Sequence, residues 1–525
     1  MPVNIVIGSG PTGVAAASAI IARGGDVLMV DVGVELEPSL AARRARMGLA
    51  EPSQWQRVDV DALTTMARPS SRPGTIRPYG SDFLFRIPAA ASEWSEQAGS
   101  PGVRPSFAKG GLSNGWGASV LPYRDEDLEA WPFRAAELSK HYDAVAAMIS
   151  LAARRDDLAD LFPAHRLIDE RPLPLSTQAQ RLLDRLGRQR TRLAALGVHF
   201  GQSREAVAEG CRRCAMCLHG CPYGLIFNAA DVVDRLCASG GLTYRPDSYA
   251  IRFEENADGV RLWTRNAKGE VTELRCDRLF VAAGVLPTAL LVLGSLDRPD
   301  YPITVKDSLH FFLPMLHRWR ADPDPATEPR HTLAQLFLEI VEPRISPRTV
   351  HVQVYTHNDS FAPDMRRRFG AFAGVFDPLV GILSRHLIVA QAFLHSDVSP
   401  QIELVMRRTG SNARLEFRRR DNPGTAGAVA RARRRLARVA RAAGLLPLTP
   451  LARVGELGSS FHCGGSFPMR ESPEGLETDV LGRPAGLRRV HLVDASVFPS
   501  IPATTITFAA MANAHRIATR AAHED

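Results

Sequence analysis

Residues 3–13 read VNIVIGSGPTG, and this stretch decides the fold of the chain. Its apolar start predicts a buried strand, and its glycine pattern, G-x-G-x-x-G, predicts a tight turn. A helix of small residues is expected over residues 14–22, and a second apolar strand, residues 27–30, ends at Asp31. Strand, glycine turn, helix, strand and acid in this order predict a βαβ unit that binds a dinucleotide.

The glycines of this turn have separate physical roles. Gly8 makes the tight turn, and Gly10, next to Ser9, lets the backbone approach a pyrophosphate. Gly13 lets the helix pack closely against the strand, and the helix N-terminus adds amide donors and a positive dipole. Asp31 is placed to accept a hydrogen bond from a ribose hydroxyl. The unit alone does not separate NAD from FAD.

The length and composition predict a globular protein with two domains around a sizeable core. The chain has 525 residues, of which 45% are hydrophobic. It contains no run of about eighteen apolar residues, so no transmembrane helix is expected. A strand begins at the N-terminus where a signal peptide would need its charged and apolar regions, so we expect a cytoplasmic protein.

The net charge of +8 comes from arginines spread along the chain. Because 56 acidic residues nearly balance 64 basic ones, nucleic acid is not an expected partner. The densest basic cluster falls on a predicted helix and comprises Arg431, Arg433, Arg434, Arg435, Arg438 and Arg441. A solvated helix face is the simpler interpretation, and a docking face for an acidic redox partner or a membrane surface is the alternative.

Two further stretches predict antiparallel sheets. Residues 242–281 alternate apolar and polar residues between turn signals, which is typical of a β-meander. Residues 300–420 contain several runs rich in β-branched residues and predict a separate, mainly antiparallel sheet. We expect residues 36–105 to cover the surface irregularly, because they mix Arg, Pro and Ser with little periodicity.

The C-terminal segment indicates which dinucleotide is bound. Residues 493–499 read VDASVFP, and SIPATTIT at 500–507 leads into a helix of small residues. This strand, acid, loop and helix resemble the C-terminal signature of the glucose–methanol–choline (GMC) oxidoreductases. The resemblance implies that FAD is the dinucleotide, that Asp494 contacts its ribityl–phosphate region, and that the helix N-terminus faces the flavin pyrimidine ring. A helix dipole there would stabilise negative charge on the reduced flavin.

Two glycine-containing segments extend the resemblance. Residues 110–114, GGLSN, are similar to the flavin-flanking loop of the family, which implies cofactor contacts from Gly110, Ser113 and Asn114. Residues 281–288, VAAGVLPT, resemble its second nucleotide-side turn, with Ala283 at the cofactor. Some sugar-oxidising members bond FAD covalently through a His where this chain has Gly115, so we expect FAD to be held non-covalently.

The fold class that follows is α/β, with a Rossmann-like FAD-binding domain and an interleaved α+β substrate domain on a mainly antiparallel sheet. The FAD-binding domain is predicted to be discontinuous and to comprise residues 1–35, 106–125, 201–299 and 450–525. The substrate or cap domain is predicted to comprise residues 36–105, 126–200 and 300–449, with a Cys-rich loop at 211–222.

His462 is the candidate catalytic base. Residues 462–469, HCGGSFPM, fit the family pattern H-x-x-G-[S/T]-x-x-M, and imidazole can accept the alcohol proton near neutral pH. Many relatives carry Asn or His at a second position, where this chain has Thr505. A hydroxyl can donate or accept a hydrogen bond but cannot act as a base, so Thr505 either orients the substrate or caps the following helix.

Four cysteines lie close together in the sequence: Cys211, Cys214, Cys217 and Cys221. Their spacing, C-x2-C-x2-C-x3-C followed by proline, is that of bacterial ferredoxins. Iron–sulfur, either [4Fe–4S] or [3Fe–4S], is the favoured interpretation, and the chain also resembles cluster-bearing GMC dehydrogenases, although their cysteine spacing differs. Zinc and unmetallated thiols stay open as alternatives. Three isolated cysteines, Cys237, Cys276 and Cys463, are expected to be buried hydrophobic residues.

The function predicted from the sequence is FAD-dependent oxidation of a hydroxyl on a sugar, polyol or other alcohol to a carbonyl. With a cluster present, electrons would leave singly to an acceptor protein or a quinone. An O₂-using oxidase or an FAD desaturase without a cluster is the first alternative. The second is a flavin-binding partner or complex subunit that acts through its Arg-rich helix.

Overall fold

The computed structural model describes residues 3–64, 78–94, 102–163, 170–319, 323–358, 373–409 and 412–522. Its strands, in chain order, are β1 Asn4–Ile7, β2 Val27–Val30, β3 Leu151–Ala152, β4 Val198–Gln202, β5 Glu205–Ala206, β6 Leu242–Arg245, β7 Tyr249–Asn256, β8 Gly259–Arg265, β9 Val271–Cys276, β10 Arg278–Val281, β11 Pro302–Asp307, β12 His310–His317, β13 Leu336–Ile340, β14 Val350–Tyr355, β15 Leu387–Phe393, β16 Gln401–Thr409, β17 Asn412–Arg420, β18 Leu445–Pro447, β19 Arg453–Val454, β20 Cys463–Gly464 and β21 Val490–Leu492.

The α-helices of the described residues are α1 Pro11–Ile21, α2 Pro38–Gly48, α3 Arg57–Thr64, α4 Ser139–Ile149, α5 Thr177–Gly187, α6 Arg190–Ala194, α7 Ala229–Ala238, α8 Val285–Ser295, α9 Ala373–His386, α10 Thr425–Ala442 and α11 Thr507–Ala521.

A five-stranded parallel sheet carries the glycine turn. Its strand order is β21-β10-β1-β2-β6, and every neighbouring pair is parallel. The residues of β1 are fully buried, as expected for a strand covered on both faces. Helix α1 packs against the C-terminal helix α11 through small buried residues. The predicted strand–turn–helix–strand unit is therefore confirmed.

A seven-stranded sheet, purely antiparallel, makes up the second layer. Its strand order is β18-β12-β15-β14-β13-β4, and β19 pairs with β12. Leu338, Val352 and Ala392 lie opposite one another across three strands and belong to an aliphatic core shared with α5 and α10. Because side chains alternate between the faces of a sheet, their strand neighbours point to the opposite face. The predicted antiparallel sheet within residues 300–420 is confirmed.

Three smaller sheets complete the architecture of the described residues, and one of them is the antiparallel pair β3–β5. Strands β7, β8 and β9 form the antiparallel meander predicted from residues 242–281, whose outer strands β6 and β10 instead join the parallel sheet. A four-stranded sheet has the order β17-β16-β11-β20. Its edge strand β20 begins at Cys463, so the pairing with β11 fixes the position of the preceding residue, His462.

The structure differs from the sequence-based expectations in two places. Strand β4 crosses the predicted boundary between residues 200 and 201, because all five of its residues pair with β13 in the seven-stranded sheet. Helices α2 and α3 occupy part of residues 36–105, where no regular structure was predicted, and residues 65–77 and 95–101 of that range lie outside the described residues. The division into an FAD-binding and a substrate domain stays a prediction.

The Arg-rich segment forms helix α10, with an apolar face on the seven-stranded sheet. Ala432, Leu436 and Val439 belong to that buried face. The exposed arginines follow each other at helical spacing and are Arg431, Arg434, Arg438 and Arg441. Within the described part of the chain, no helix combines the length and apolar character needed to cross a membrane.

The glycine turn is fixed by close backbone packing. Gly8 has a φ of +94°, and a Cβ there would lie 2.5 Å from the carbonyl oxygen of Ala282 in the neighbouring strand connection. A Cβ on Gly13 would overlap the carbonyl oxygen of Gly8, whereas a Cβ on Gly10 would have nothing within 4 Å. Gly8 and Gly13 are therefore required by the fold, while Gly10 faces open space.

We expect Gly13→Ala to lower the free energy of unfolding of the cofactor-free protein by about 2 kcal/mol or more, because the methyl group overlaps backbone that cannot move without opening the sheet. Gly10→Ala is the matched control and should leave that free energy within about 1 kcal/mol, because its methyl group would meet nothing within 4 Å. Urea unfolding measures both effects. Equal destabilisation by both substitutions would contradict the close packing described for Gly13 and the open space described for Gly10.

Candidate functional site

A groove opens at the carboxyl ends of the parallel strands, directly over the glycine turn. Its cavity volume is about 220 Å³. Ligands of parallel α/β sheets bind at this edge, where helix N-termini and strand-end loops meet. The groove is lined by residues 7–12, 30–32, 103–108, 111–112, 248–250, 282–287, 494–495, 506–507 and four single positions, Leu291, Phe461, Cys463 and Ala510.

Asp31 lies at the end of β2 and lines the groove. Its carboxylate accepts hydrogen bonds from the hydroxyls of Ser9 and Tyr244, the latter at 3.1 Å. Ser9 in turn accepts the backbone N–H of Gly110 at 2.8 Å. Burial raises the pKa of Asp31 to about 6, against the opposing effect of these hydrogen bonds. One carboxylate thus connects the glycine turn with the second glycine loop.

The loop at residues 110–114 holds its shape through its own side chains. Ser113 donates to the carbonyl of Gly110 at 2.6 Å and accepts the N–H of Ala229 at 2.9 Å. Asn114 donates to the carbonyls of Lys109 and Gly111, each at 2.8 Å. These side chains point into the loop, and the groove is lined instead by Gly111 and Leu112.

Asp494 connects the C-terminal segment to the parallel sheet. One carboxylate oxygen accepts the N–H of Gly284 at 2.9 Å and the hydroxyl of Thr288 at 2.6 Å. The other accepts the N–H of Ser496 at 2.9 Å. Burial raises the pKa of Asp494 above its ordinary value. The residue lines the groove, and its neighbour at the second turn, Ala283, lines it too.

His462 lies between two residues that line the groove, Phe461 and Cys463, while its own ring turns toward the seven-stranded sheet. The imidazole stacks on Phe393 of β15 with ring centroids 4.9 Å apart, and its Nδ1 is buried with no hydrogen-bond partner. Burial, together with His351 and His310, lowers the pKa of His462 to about 3. The ring is therefore neutral at pH 7 and can accept a proton from a bound ligand.

Thr505 has a different role from the capping that was one expectation. Its hydroxyl oxygen accepts the backbone N–H of Leu121 at 2.8 Å, and the side chain is buried. Helix α11 begins at Thr507 with Ile506 as its N-cap residue, which makes no side-chain cap. The capping prediction is wrong because the hydroxyl is committed to a residue far away in sequence. The hydrogen of the Thr505 hydroxyl remains available to donate to a bound ligand.

The four clustered cysteines line a second, smaller cavity of about 20 Å³, together with His331. All four are free thiols, and Cys217 accepts the N–H of Thr332 at 3.4 Å. Burial raises the pKa of Cys214 to about 11 and that of Cys217 to about 12. Across the described residues, no three His, Cys, Asp or Glu side chains are arranged to hold a metal ion.

Two residues of the groove and one that contacts its wall could not be identified from the sequence. Ser106 presents a buried hydroxyl with no partner to the groove, Tyr249 lines it, and Tyr244 contacts Asp31. Ser106 precedes the glycine loop, and this position was the only signal that could have identified it. The tyrosines belong to β6 and β7, and no sequence pattern shows that these strands end beside the first glycine turn.

The fold is of mixed α/β architecture, with a groove at the carboxyl edge of its parallel sheet. No family model and no curated protein matches the sequence. Among solved structures, the chain is similar to the crystal structure of pyridoxine 4-oxidase from Mesorbium loti, with 16% identity, coverage of 100% of both chains and a TM-score of 0.61. At this identity the likeness concerns the fold, and it agrees with the GMC-type fold expected from the sequence.

We expect Asp494→Asn to lower the free energy of unfolding of the cofactor-free protein by about 2 kcal/mol, because an amide NH₂ would face one of three buried donors. Asp258→Asn, at an exposed turn, is the matched control and should change it by less than about 0.5 kcal/mol. Urea unfolding followed by circular dichroism measures both. A stability of Asp494→Asn equal to that of the control would contradict the bonding described.

Proposed function

We propose that the chain is an FAD-dependent oxidoreductase that converts an alcohol to a carbonyl compound. The observation that carries this proposal is the unpartnered imidazole of His462 beside the dinucleotide groove. A neutral base next to a cofactor groove is the arrangement that hydride removal from an alcohol requires. The fold likeness to pyridoxine 4-oxidase supports the same class of reaction.

The residues of the groove fit FAD. The open face of Gly10 leaves room for a pyrophosphate at the N-terminus of α1, and Asp31 is placed for the ribose. Asp494 and the start of α11 line the groove farther along, where the ribityl chain and flavin ring would lie. Because Gly115 offers no nucleophile, we propose that FAD is held non-covalently.

FAD, when bound, supplies the acceptor for the hydride that leaves the alcohol carbon. The alcohol O–H proton passes to His462, and the C–O bond becomes a carbonyl, so that two electrons and one proton leave with the hydride and one proton remains on the imidazole. His462 can take this proton because its buried Nδ1 has no hydrogen-bond partner and its ring is neutral at pH 7. We propose a sugar, polyol or other small alcohol as the substrate class.

We further propose that the clustered cysteines hold an iron–sulfur centre that carries electrons away from the flavin. The support is that four thiols line one cavity and that Cys217 accepts a backbone N–H, a bond typical of cluster sulfurs. Leu112 lines the groove and packs in one apolar cluster with Met216 and Cys214. The four cysteine side chains would have to move closer together to bind iron, since no three such side chains of the described residues are arranged to hold a metal ion. An enzyme with this centre would be a dehydrogenase passing electrons to a protein or quinone.

The alternative on the same fold is an oxidase that reduces O₂ and leaves the thiols unmetallated. The raised pKa values of Cys214 and Cys217 keep these thiols protonated at neutral pH, as an empty site would. Release of hydrogen peroxide during turnover would identify the oxidase. Turnover only with an added electron acceptor would identify the dehydrogenase.

His462→Gln should lower kcat by about 100-fold or more, because glutamine can hydrogen-bond the substrate but cannot take its proton. Anaerobic bleaching of the flavin absorbance on addition of alcohol measures the step. FAD content should equal that of the wild type. His386→Gln, a half-buried histidine of α9, is the matched control and should retain wild-type turnover.

The pH profile gives a second test of the same assignment. With a pKa of about 3, His462 stays unprotonated through the acid range, so kcat/KM should remain level from about pH 7 to about pH 5. An imidazole with the ordinary pKa of about 6.5 would lose about tenfold for each pH unit below that value. Such a decline would contradict the lowered pKa of His462, whereas near-normal kcat in His462→Gln would contradict its role as the base.

Cys214→Ser should abolish iron binding and lower the rate of electron transfer to an artificial acceptor by about 10-fold or more, while flavin reduction by the alcohol stays unchanged. Anaerobic purification, iron and sulfide analysis and the visible spectrum measure the loss. Cys237→Ser, on α7 and outside the cluster, is the matched control and should retain iron. Wild-type protein purified without iron and with a plain flavin spectrum would contradict the iron–sulfur proposal.

A further inference from the structure

The face of the seven-stranded sheet opposite its aliphatic core is polar and aromatic. Strand pairing places two rows of side chains on it, and these are Phe337, Gln353 and Gln391, and Glu339, His351 and Phe393. The ring of His462 stacks on Phe393, so this face borders the proposed site of proton removal. A sheet face buried in a domain core normally carries apolar residues. The polar groups here require a separate explanation.

Three of these side chains, Glu339, His351 and Gln353, form one continuous chain of hydrogen bonds together with Thr349 and Tyr355. Nδ1 of His351 lies 2.6 Å from a carboxylate oxygen of Glu339, and Nε2 of His351 lies 3.3 Å from the amide nitrogen of Gln353. The hydroxyl of Tyr355 donates to the amide oxygen of Gln353 at 2.7 Å. Thr349 donates to the other oxygen of Glu339 at 3.0 Å.

This chain of hydrogen bonds has one donor-to-acceptor direction, which the carboxylate of Glu339 sets. Glu339 can only accept when ionised, so Nδ1 of His351 carries the proton and Nε2 becomes an acceptor. The amide NH₂ of Gln353 must then face His351, and its oxygen must face Tyr355. Glu339 and His351 are both 0% exposed, and Gln353 is 5% exposed. The buried pair therefore fixes which way the amide and the phenol point.

The far end of this hydrogen-bond chain lies beside Gly117, which follows the glycine loop at residues 110–114. A Cβ on Gly117 would have only the hydroxyl of Tyr355 within 4 Å, at 3.9 Å. Tyr355 also packs in one apolar cluster with Leu121, whose N–H donates to Thr505. Burial and the carboxyl of Glu205 raise the pKa of Tyr355 above its ordinary value, so the phenol remains protonated at neutral pH. The Tyr355 side chain thus lies next to Gly117 and Leu121, and Leu121 connects it to Thr505 of the C-terminal segment.

We propose that the buried Glu339–His351 pair orients Gln353 and Tyr355 as a substrate-positioning wall, which supplies the polar contacts that the committed hydroxyl of Thr505 leaves open. This inference rests on the proposed alcohol oxidation. Gln353 retains one amide hydrogen and Tyr355 one acceptor oxygen for a ligand. Glu339 and His351 act through them and are positioning residues.

The geometry also limits the substrate. At about 3.3 Å per residue along a strand, His351 and Tyr355 are separated by about 13 Å. A molecule oxidised at His462 lies at the Phe393 end of this row, so its second hydroxyl would reach Gln353 first and depend on Tyr355 through that amide. Because the carboxylate of Glu339 is bonded to His351 and Thr349, and that of Glu205 near Tyr355 is bonded to Ser119, the wall favours an uncharged polyhydroxylated substrate over a cationic one.

The test is a double-mutant cycle with Glu339→Gln and Tyr355→Phe. The probes are D-glucose, xylitol, benzyl alcohol and pyridoxine, each assayed anaerobically with an artificial electron acceptor. Each single variant should raise KM for the polyhydroxylated probes about 3-fold to 10-fold with kcat within about 3-fold, because one neutral hydrogen bond to the substrate is lost. The KM of the double variant should be no higher than that of the single variant with the higher KM, since both substitutions remove the same contact.

Tyr301→Phe, at a half-exposed tyrosine before β11, is the matched control and should leave KM unchanged. If Glu339→Gln fails to fold, Gln353→Met replaces it in the cycle with the same expectation. Unchanged KM in Tyr355→Phe, or additive effects in the cycle, would overturn the positioning wall and leave the proposed function standing. Absence of turnover of every probe by the wild type would overturn both.

Discussion

The structure depends on one close approach of backbone to backbone. Gly8 and Gly13 bring β1, α1 and the connection after β10 within contact distance, with the carbonyl oxygens of Ala282 and Gly8 where side chains would otherwise lie. This packing puts the N-terminus of α1 at the carboxyl edge of the parallel sheet. A concentration of amide donors at a strand edge attracts an anionic group, so the binding chemistry follows directly from the packing.

The remaining parts of the site are fastened to this turn by buried carboxylates. Asp31 links the turn to the second glycine loop through Ser9, and Asp494 links the C-terminal segment to the connection after β10 through Gly284 and Thr288. Burial raises the pKa of both acids, since each carboxylate has lost water and regained only some of its solvation from these donors. A ligand that donates to either acid would relieve part of that loss.

The sequence was sufficient for features that are local in the chain. The glycine turn with its flanking strands, the meander and the antiparallel character of residues 300–420 could be predicted because each follows from spacing and periodicity over a few residues. Ser113, Asn114 and Thr505 could be singled out as candidates from the sequence, but their hydrogen-bond partners could not be predicted. Those partners, such as Leu121 for Thr505, are determined by tertiary packing. The same reason explains why Tyr244 and the Glu339–His351 pair gave no sequence signal.

The buried Glu339–His351 pair is hard to explain as a stabilising feature. Removing a carboxylate and an imidazole from water costs several kcal/mol, roughly what their attraction and hydrogen bonds restore, and an apolar pair of similar volume would stabilise a sheet core at least as well. An apolar pair cannot orient the neighbouring hydrogen bonds. Only a carboxylate, which accepts and does not donate, forces every donor of this hydrogen-bond chain to point the same way. Orientation of the terminal phenol beside Gly117 is therefore the property that the polar residues supply and that packing alone would not.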